Sequence, residues 1–166
     1  MQQIAQNNCG SCNLCCKLLG ITEIKKEKNR WCGFCDVGKG CKIYDNRPPS
    51  CQEYQCMWLA SQETPAPLPI EYRPDKSKVV ITSVNETTIS AHVDPGSPHA
   101  WKAKPIIDVL NILALQAKVL VSTNNSLEKI LLEGNGASIV TQRRITMTAP
   151  DADGVQYYNP NPLEVK

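Results

Sequence analysis

Nine cysteines lie close together near the start of this 166-residue chain and constrain its fold more than any other feature. The last 110 residues contain none, and the nine are Cys9, Cys12, Cys15, Cys16, Cys32, Cys35, Cys41, Cys51 and Cys56. Disulfides are typical of small secreted domains, but the count is odd and residues 1 to 8 lack the basic and apolar regions of a secretory signal. We therefore expect the thiolates to ligate metal in a reducing cytoplasm.

The spacing of the cysteines points to sites of four sulfurs. A Cys-x2-Cys turn brings two sulfurs to one ion, and its backbone amides stabilise the thiolates. Cys12 and Cys15 are followed, after sixteen residues, by Cys32 and Cys35, which matches the spacing of a four-sulfur zinc site. A first pair of Cys9 and Cys12 fits equally well. The spacing leaves open which cysteines share an ion.

Nine thiols exceed what one tetrahedral ion takes, so we expect two Zn²⁺ sites. One thiol is then left over, for which Cys16 and Cys56 are the candidates, or one thiolate bridges both ions. Eight thiolates on two Zn²⁺ would change the formal net charge from +2 to about −2. The electrostatic case for a nucleic-acid partner then disappears, and the basic run from Lys25 to Arg30 is interpreted as a solvated face.

An iron-sulfur cluster is the alternative cofactor. Cys9-x2-Cys12-x2-Cys15 reproduces the opening of a bacterial ferredoxin motif. The fourth cysteine and proline of that motif are replaced here by Leu19 and Gly20. A distant cysteine would have to complete the cluster, and zinc is therefore favoured.

Three cysteine motifs follow one another between residues 9 and 58, namely Cys9-x2-Cys12-x2-Cys15-Cys16, Trp31-Cys32-x2-Cys35, and Gly40-Cys41-Lys42-Ile43-Tyr44-x2-Arg47-Pro48-x2-Cys51. In combination they resemble the YkgJ-like cysteine-cluster family, a zinc- or iron-chelating domain named for its CxxCxxCC motif. The resemblance implies metal binding through these cysteines in bacterial or phage-encoded proteins. It implies no reaction, because the family has no agreed activity.

Arg47 is the candidate for a residue that supports the metal without ligating it. It lies four residues before Cys51, in a turn led by Asp45. A guanidinium beside a four-thiolate zinc site would offset the net charge of −2 and donate hydrogen bonds to sulfur or to carbonyls of the ligand loops. The alternative is an exposed arginine that pairs with Asp45.

No motif supports an enzyme. Some relatives of the cysteine motif occur in flagellin lysine methylases, but this chain has no nucleotide-binding glycine motif and no nucleophile with a recognisable partner set. His92 and His99 are expected at the surface or at a strand end. We expect a structural or interaction module that binds a protein partner, for example in a phage particle. The alternative is an iron-sulfur protein in electron transfer, or a subunit of a redox or modifying enzyme.

The chain is divided into a cysteine module at residues 1 to 60, a proline-rich connection at 61 to 77, an α+β segment at 78 to 148 and an extended tail at 149 to 166. Ligation is expected to hold the first part and apolar burial the third, in two separate lobes. No apolar run reaches the ~18 residues of a transmembrane helix, so no membrane contact is expected. The tail lacks apolar periodicity, and a protein partner would order it.

The sequence pattern of residues 78 to 148 predicts a small antiparallel sheet packed on one main helix, an α+β fold. Apolar residues wrap most of the predicted helix Ile106–Leu115, so we expect burial around most of its circumference. The other predicted elements are a hairpin of Lys78–Val84 and Thr87–Val93, a strand Lys118–Ser122, a short helix Leu127–Leu132 capped by Gly134, and one or two strands within Ala137–Thr148.

Overall fold

The cysteine module consists of short elements joined by turns. A computed structural model describes residues 9–135, 140–153 and 155–157 of the chain. The longest elements of the module have five residues, because ligand turns and prolines interrupt the chain. They are α1 (Cys15–Leu18), the two-stranded ladder of β1 (Cys35–Asp36) and β2 (Gly40–Cys41), α2 (Pro49–Glu53) and α3 (Met57–Ser61), with single 3-10 turns at Thr22–Ile24 and Tyr44–Asn46.

A five-stranded sheet occupies the second half of the described chain. After a 3-10 turn at Ile70–Tyr72 and α4 (Pro74–Ser77), its strands lie side by side in chain order. They are β3 (Val79–Asn85), β4 (Thr88–Val93), β5 (Lys118–Ser122), β6 (Glu128–Gly134) and β7 (Val140–Thr146), and α5 (Ile106–Ala114) lies between β4 and β5 in sequence. The predicted hairpin is present as β3 and β4, and the strand predicted within Ala137–Thr148 is present as β7.

The prediction of a purely antiparallel sheet is wrong at its centre. Strands β4 and β5 are parallel, with Thr88 opposite Lys118 and His92 opposite Ser122, and the other neighbouring strands are antiparallel. Parallel neighbours need a crossover of a dozen or more residues, usually with a helix. The connection from Asp94 to Ala117, which includes α5, supplies it. The fold therefore has mixed α/β content with small sheets and few helices.

The predicted helix Leu127–Leu132 is also wrong, since residues 128 to 132 belong to strand β6. Ile130 and Leu132 contact the core beneath α5, whereas Leu131 belongs to a cluster on the opposite face of the sheet. Gly134 ends a strand rather than capping a helix. Its α-carbon lies so close to the end of α5 that an added Cβ would stand 2.8 Å from the carbonyl oxygen of Ala114.

Helix α5 covers one face of the sheet with one side only. Its buried residues Ile106, Leu110 and Ala114 recur every four positions, and they pack with alternate residues of β3 to β6. Ile112, on the outer side, is 61% exposed. Burial around most of the helix was therefore a wrong expectation, because the sheet covers a single face and no described element covers the other.

The cysteine module packs on the opposite face of the same sheet. Leu14, Leu18, Cys56 and Leu59 of the module form one buried cluster with Val80 of β3. Val80 is fully buried, and its neighbours Val79 and Ile81 face α5 because side chains alternate along a strand. The cysteine module and the α+β segment, expected from the sequence as two separate lobes, thus pack together through this sheet.

The remaining segments are only partly described. The connection at 61 to 77 includes the turn Ile70–Tyr72 and α4 in addition to its prolines. In the tail, the amide of Thr148 donates to the carbonyl of Tyr157 at 2.7 Å, so these residues turn back on themselves. Residues 154 and 158 to 166 lie outside the described part of the chain. No helix in the described ranges is long and apolar enough to cross a membrane.

Candidate metal centre

The cysteines of the module surround a common cavity. Its volume is about 440 Å³, and seven thiols line it: Cys9, Cys12, Cys15, Cys16, Cys32, Cys41 and Cys51. Cys56 lies beside it, on a cavity of about 20 Å³ that it shares with Cys9, Cys12 and Cys15. Cys35 stands opposite Cys41 in the β1–β2 ladder. All nine cysteines are free thiols.

Tight turns bring the first cysteines together. The amide of Cys12 donates to the carbonyl of Cys9 at 3.0 Å, which closes a turn through Gly10. Gly10 has a φ of +55°, a conformation that suits glycine because it has no Cβ. Cys15 and Cys16 follow in α1, so adjacent residues of one short helix present both thiols.

Backbone hydrogen bonds then attach the distant cysteines to this turn. The amide of Cys32 donates to the carbonyl of Cys16 at 3.0 Å, and the amide of Cys35 donates to that of Cys32 at 3.0 Å. The side chain of Asn13, which is buried, donates to the carbonyl of Asp36 at 3.0 Å. The cysteine pair predicted from spacing, Cys32 and Cys35, is thus held against α1.

Four thiols form a first group, which consists of Cys9, Cys12, Cys15 and Cys56. Burial raises the pKa of Cys9, and the Cys56 thiol raises it further. Burial likewise raises the pKa of Cys12 to about 11, with a smaller contribution from Cys56. A hydrogen bond with Cys16 is the main cause that raises the pKa of Cys15, followed by burial and by the neighbouring thiols. These four thiols line the same small cavity, and Cys15 and Cys9 are also influenced by Cys16, so the two groups adjoin each other.

The other five thiols form a second group, which consists of Cys16, Cys32, Cys35, Cys41 and Cys51. Burial is the main cause that raises the pKa of Cys35 to about 12, and the thiols of Cys16, Cys32 and Cys41 contribute to the increase. The same three thiols act on Cys51, whose pKa burial also raises. The hydrogen bond from Cys15 lowers the pKa of Cys16 to about 6 although burial opposes it. Sequence spacing could not distinguish these two groups.

Arg47 is at the cavity wall, as its predicted role requires. Its guanidinium stacks on the Tyr44 ring at 3.7 Å, and its Nε donates to the Tyr44 carbonyl at 2.8 Å. Burial raises the pKa of Cys9, and the positive charge of Arg47 acts in the opposite direction. Tyr44, rather than Asp45, holds the guanidinium in place.

Lys26 is a second cation near the thiols, although it belongs to the basic run that was expected to be a solvated face. Its ammonium group donates to the carbonyls of Lys17 and Leu19. Burial lowers the pKa of Lys26, while the thiols of Cys16 and Cys32 act to raise it. An isolated β-bridge between Ile21 and Lys26 folds the loop back toward α1. No local sequence pattern predicts this bridge.

Two buried donors beside the first group have no hydrogen-bond partner among the described residues, the hydroxyl of Tyr54 and the indole N–H of Trp58. Both residues line the small cavity next to Cys9, Cys12 and Cys56. An unpaired buried donor costs roughly 1–3 kcal/mol, so such groups are normally satisfied. Thiolate or sulfide sulfur is an acceptor that would satisfy them, and a loaded thiolate site therefore suits these surroundings.

The donor set fits a soft metal. The residues lining the large cavity include no Asp, Glu or His, so sulfur is the ligand it offers. In the described part of the chain, no three Cys, His, Asp or Glu side chains already enclose a single ion position. The histidines lie elsewhere, His92 on β4 and His99 just before the turn Ala100–Lys102.

A comparison of the chain with protein-family models, curated proteins and solved structures finds no significant match. The resemblance of the three cysteine motifs to the YkgJ-like family stays a prediction.

Proposed function

We propose that this chain is a metal-binding protein whose cysteine module holds two Zn²⁺ ions and serves as a structural or interaction module in a reducing cytoplasm. The supporting observation is the convergence of nine free thiols, seven of which line one cavity, while Cys56 lines a small cavity beside it. The first ion would be held by Cys9, Cys12, Cys15 and Cys56. Four of the other five cysteines would hold the second.

A structural role for the metal follows from how little apolar packing the module has. Its helices and strands are two to five residues long, and Trp31, Phe34 and Val37 are exposed near the ligand turns. Small modules with such limited cores depend on metal or disulfides for stability. Zinc bound to four thiolates would supply that free energy without redox chemistry.

An interaction role is supported by apolar surface that the described chain leaves uncovered. Ile112 and Leu115 are exposed on the outer side of α5, as are Val155 and Tyr157 in the tail. Exposed apolar groups of this kind mark interaction sites when they are contiguous. A protein partner, for example within a phage particle as the family resemblance suggests, would cover them. No catalytic residue is proposed.

An iron-sulfur protein in electron transfer, or in a redox or modifying complex, is the second candidate. The cavity of about 440 Å³ favours it, since one water needs only ~10–15 Å³ and a metal ion is no larger than a water. A polynuclear cluster would fill such a space better than separate ions. The unpaired N–H of Trp58 and hydroxyl of Tyr54 would then donate to its sulfurs, which is a means of tuning reduction potential.

Metal analysis of anaerobically purified full-length protein tests the proposal. Two zinc ions per chain, no visible absorption, and metal-sulfur distances near ~2.3 Å by X-ray absorption are expected. Iron with visible absorption that bleaches on reduction would select the iron-sulfur candidate. Pairing of most cysteines as disulfides in protein kept reduced would refute both.

The grouping of the thiols has a separate test. Cys56→Ala removes a ligand of the first group, and the double substitution Cys35→Ala with Cys41→Ala leaves only three thiols in the second. Each is expected to lower the zinc content by about one ion per chain. Cys12→Ala should match Cys56→Ala in competition with a chelator, since both belong to the first group. If the substitution of Cys56 and the double substitution of Cys35 and Cys41 removed the same zinc ion, the grouping would be contradicted.

A further inference from the structure

A second cavity lies where the cysteine module, the sheet and the tail meet. Its volume is about 60 Å³, several times the ~10–15 Å³ needed for one water. The module contributes Lys28 and Asn29, strand β4 contributes His92, and strand β6 contributes Lys129. The turn between β5 and β6 supplies polar residues, and the tail supplies Gln156.

The ionisable side chains that line this cavity are all basic. They are Lys28 from the module, His92 from β4 and Lys129 from β6, and no Asp or Glu is among the lining residues. Glu27, the acidic neighbour of Lys28 in sequence, pairs instead with Arg30 at 3.1 Å. Three basic groups therefore converge without a carboxylate to balance them.

The effect of this convergence is visible on the basic groups themselves. Burial is the main cause that lowers the pKa of His92 to about 4, and the charges of Lys28 and Lys129 contribute to the decrease. Burial also lowers the pKa of Lys129, again with a contribution from Lys28. Like charges held together in a partly buried place are unfavourable unless an anion joins them.

The walls of the cavity are held in place. The side-chain amide of Asn29 donates to Asn125 at 2.7 Å, which ties the module to the β5–β6 turn. Lys129 Nζ donates to the carbonyl of Ser126 at 2.6 Å, so its position is fixed while its other N–H groups remain available. Among the described residues, the side chains of His92 and Lys28 have no hydrogen-bond or ion-pair partner.

We propose that this cavity binds a tetrahedral oxyanion, either inorganic phosphate or the phosphoryl group of a phosphate monoester. Lys28 and Lys129 would supply the positive charge, and His92 a ring N–H. The volume suits a single anionic head group and is too small for an attached nucleoside, which would have to remain outside. The bound anion would join the module to the sheet, because its ligands come from both.

Titration of inorganic phosphate into the metal-loaded full-length protein at about pH 7 and constant ionic strength tests the proposal. The readout is the ring signals of the two histidines by NMR. His92 should shift saturably, while the exposed His99 serves as an internal reference. Lys28→Gln and Lys129→Gln should each weaken binding about 10-fold. Lys25→Gln removes the same charge from the same basic run outside the cavity, and should leave binding unchanged.

A parallel titration with O-phosphoserine distinguishes the two sources of the anion. Tighter binding of phosphoserine assigns the site to a phosphate monoester, and tighter binding of phosphate assigns it to the free ion. An equal shift of both histidines, the absence of saturation with either probe, or an equal loss from Lys25→Gln would overturn the proposal. Urea denaturation of each variant confirms that it is folded, and Lys28 is exposed, so its replacement should not disturb packing.

Discussion

The ammonium group of Lys17 lies 2.7 Å from a carboxylate oxygen of Asp94. Lys17 precedes the buried Leu18 in α1, and Asp94 directly follows β4, so the ion pair connects the cysteine module with the sheet. The same carboxylate oxygen accepts a hydrogen bond from the amide of Gly96 at 3.0 Å. Both charged side chains are largely buried, which distinguishes this pair from ion pairs at the surface.

Asp94→Asn should destabilise the protein by about 1–3 kcal/mol, because the Lys17 ammonium would remain in a partly buried site without its counter-charge. Asp108→Asn is the matched control, since Asp108 pairs with Lys104 in an exposed position and should change stability by no more than ~0.5 kcal/mol. The free energy of unfolding in urea measures both. Equal effects of the two substitutions would show that the Lys17–Asp94 pair does not join the two parts.

Removal of the metal should loosen the protein in a graded way. The region from Cys9 to Cys56 should lose amide protection first, because ligation stabilises it. Val80 should follow in part, since it is buried against Leu14, Leu18 and Leu59. Helix α5 lies on the other face of the sheet and should keep its protection.

Hydrogen exchange before and after chelation measures this order. The zinc-reloaded protein, which should regain the original pattern, is the control. A loss of protection in α5 as complete as that in the cysteine module would show that the two faces of the sheet unfold as one unit.

Arg47→Ala should weaken metal retention by about 10-fold, because the guanidinium at the cavity wall offsets the negative charge of the thiolates. Arg47→Lys should recover part of the loss, as a lysine keeps the charge but not the stacking on Tyr44. Arg30→Ala is the control, since Arg30 is an exposed arginine of the same module. Competition with a chromogenic chelator gives the affinities, and unchanged retention in Arg47→Ala would assign this arginine to the surface.

Gly134→Ala should destabilise the fold by about 1–3 kcal/mol through overpacking. The added Cβ would stand 2.8 Å from the carbonyl oxygen of Ala114 and 2.9 Å from the α-carbon of Leu115, and backbone atoms cannot rotate away. Gly33→Ala is the control, because a Cβ there would meet open space. Thermal unfolding measures the difference, and similar midpoints for the two variants would mean that β6 and α5 are not in close contact.

His92 should make stability depend on pH on the acid side of neutrality. Its pKa is about 4 in the folded protein because burial disfavours the charged ring, whereas the ordinary value is about 6.5. Between these values the unfolded chain binds a proton that the folded chain does not. The contribution of His92 is therefore complete above pH ~6.5 and is lost as the pH falls towards ~4.

Replacement of the His92 imidazole should make the free energy of unfolding depend less on pH. Wild-type protein should lose about 1 kcal/mol more stability than His92→Gln between about pH 7.5 and about pH 5.5, measured by urea denaturation in a phosphate-free buffer. His99→Gln, at an exposed position, should behave as wild type. Equal slopes in His92→Gln and wild type would show that His92 is not buried in its neutral form.

Local sequence patterns predicted most helices and strands in the second half of the chain. They failed where contacts between residues distant in sequence determine the secondary structure or the strand pairing. The run Leu127–Leu132 fits a short helix as well as a strand, since six residues, four of them apolar, are too few to separate the two periodicities. Its pairing with β5 and β7 resolves the ambiguity. The parallel pairing of β4 with β5 depends on how α5 crosses the sheet, which no local pattern records.

The candidate site shows the same division. The sequence predicted metal ligation by the nine thiols and a supporting role for Arg47, because cysteine spacing and a turn can be recognised locally. The proximity of Cys56 to Cys9 depends on the packing of Cys56 against Val80, which spacing along the chain does not record. The proximity of Lys26 to the thiols and the burial of the Tyr54 and Trp58 donors are properties of the folded chain that the sequence does not indicate.

The position of Val80 in the chain also sets an order of events during translation. Cys56, the last cysteine of the module, is synthesised about two dozen residues before Val80, which corresponds to roughly 1–5 s at ~5–20 residues per second. The nascent module can acquire its metal in that interval, before the strand that covers Leu14, Leu18 and Leu59 exists. These three leucines then form a temporary apolar surface on the ribosome, where a chaperone would bind or a neighbouring nascent chain would aggregate.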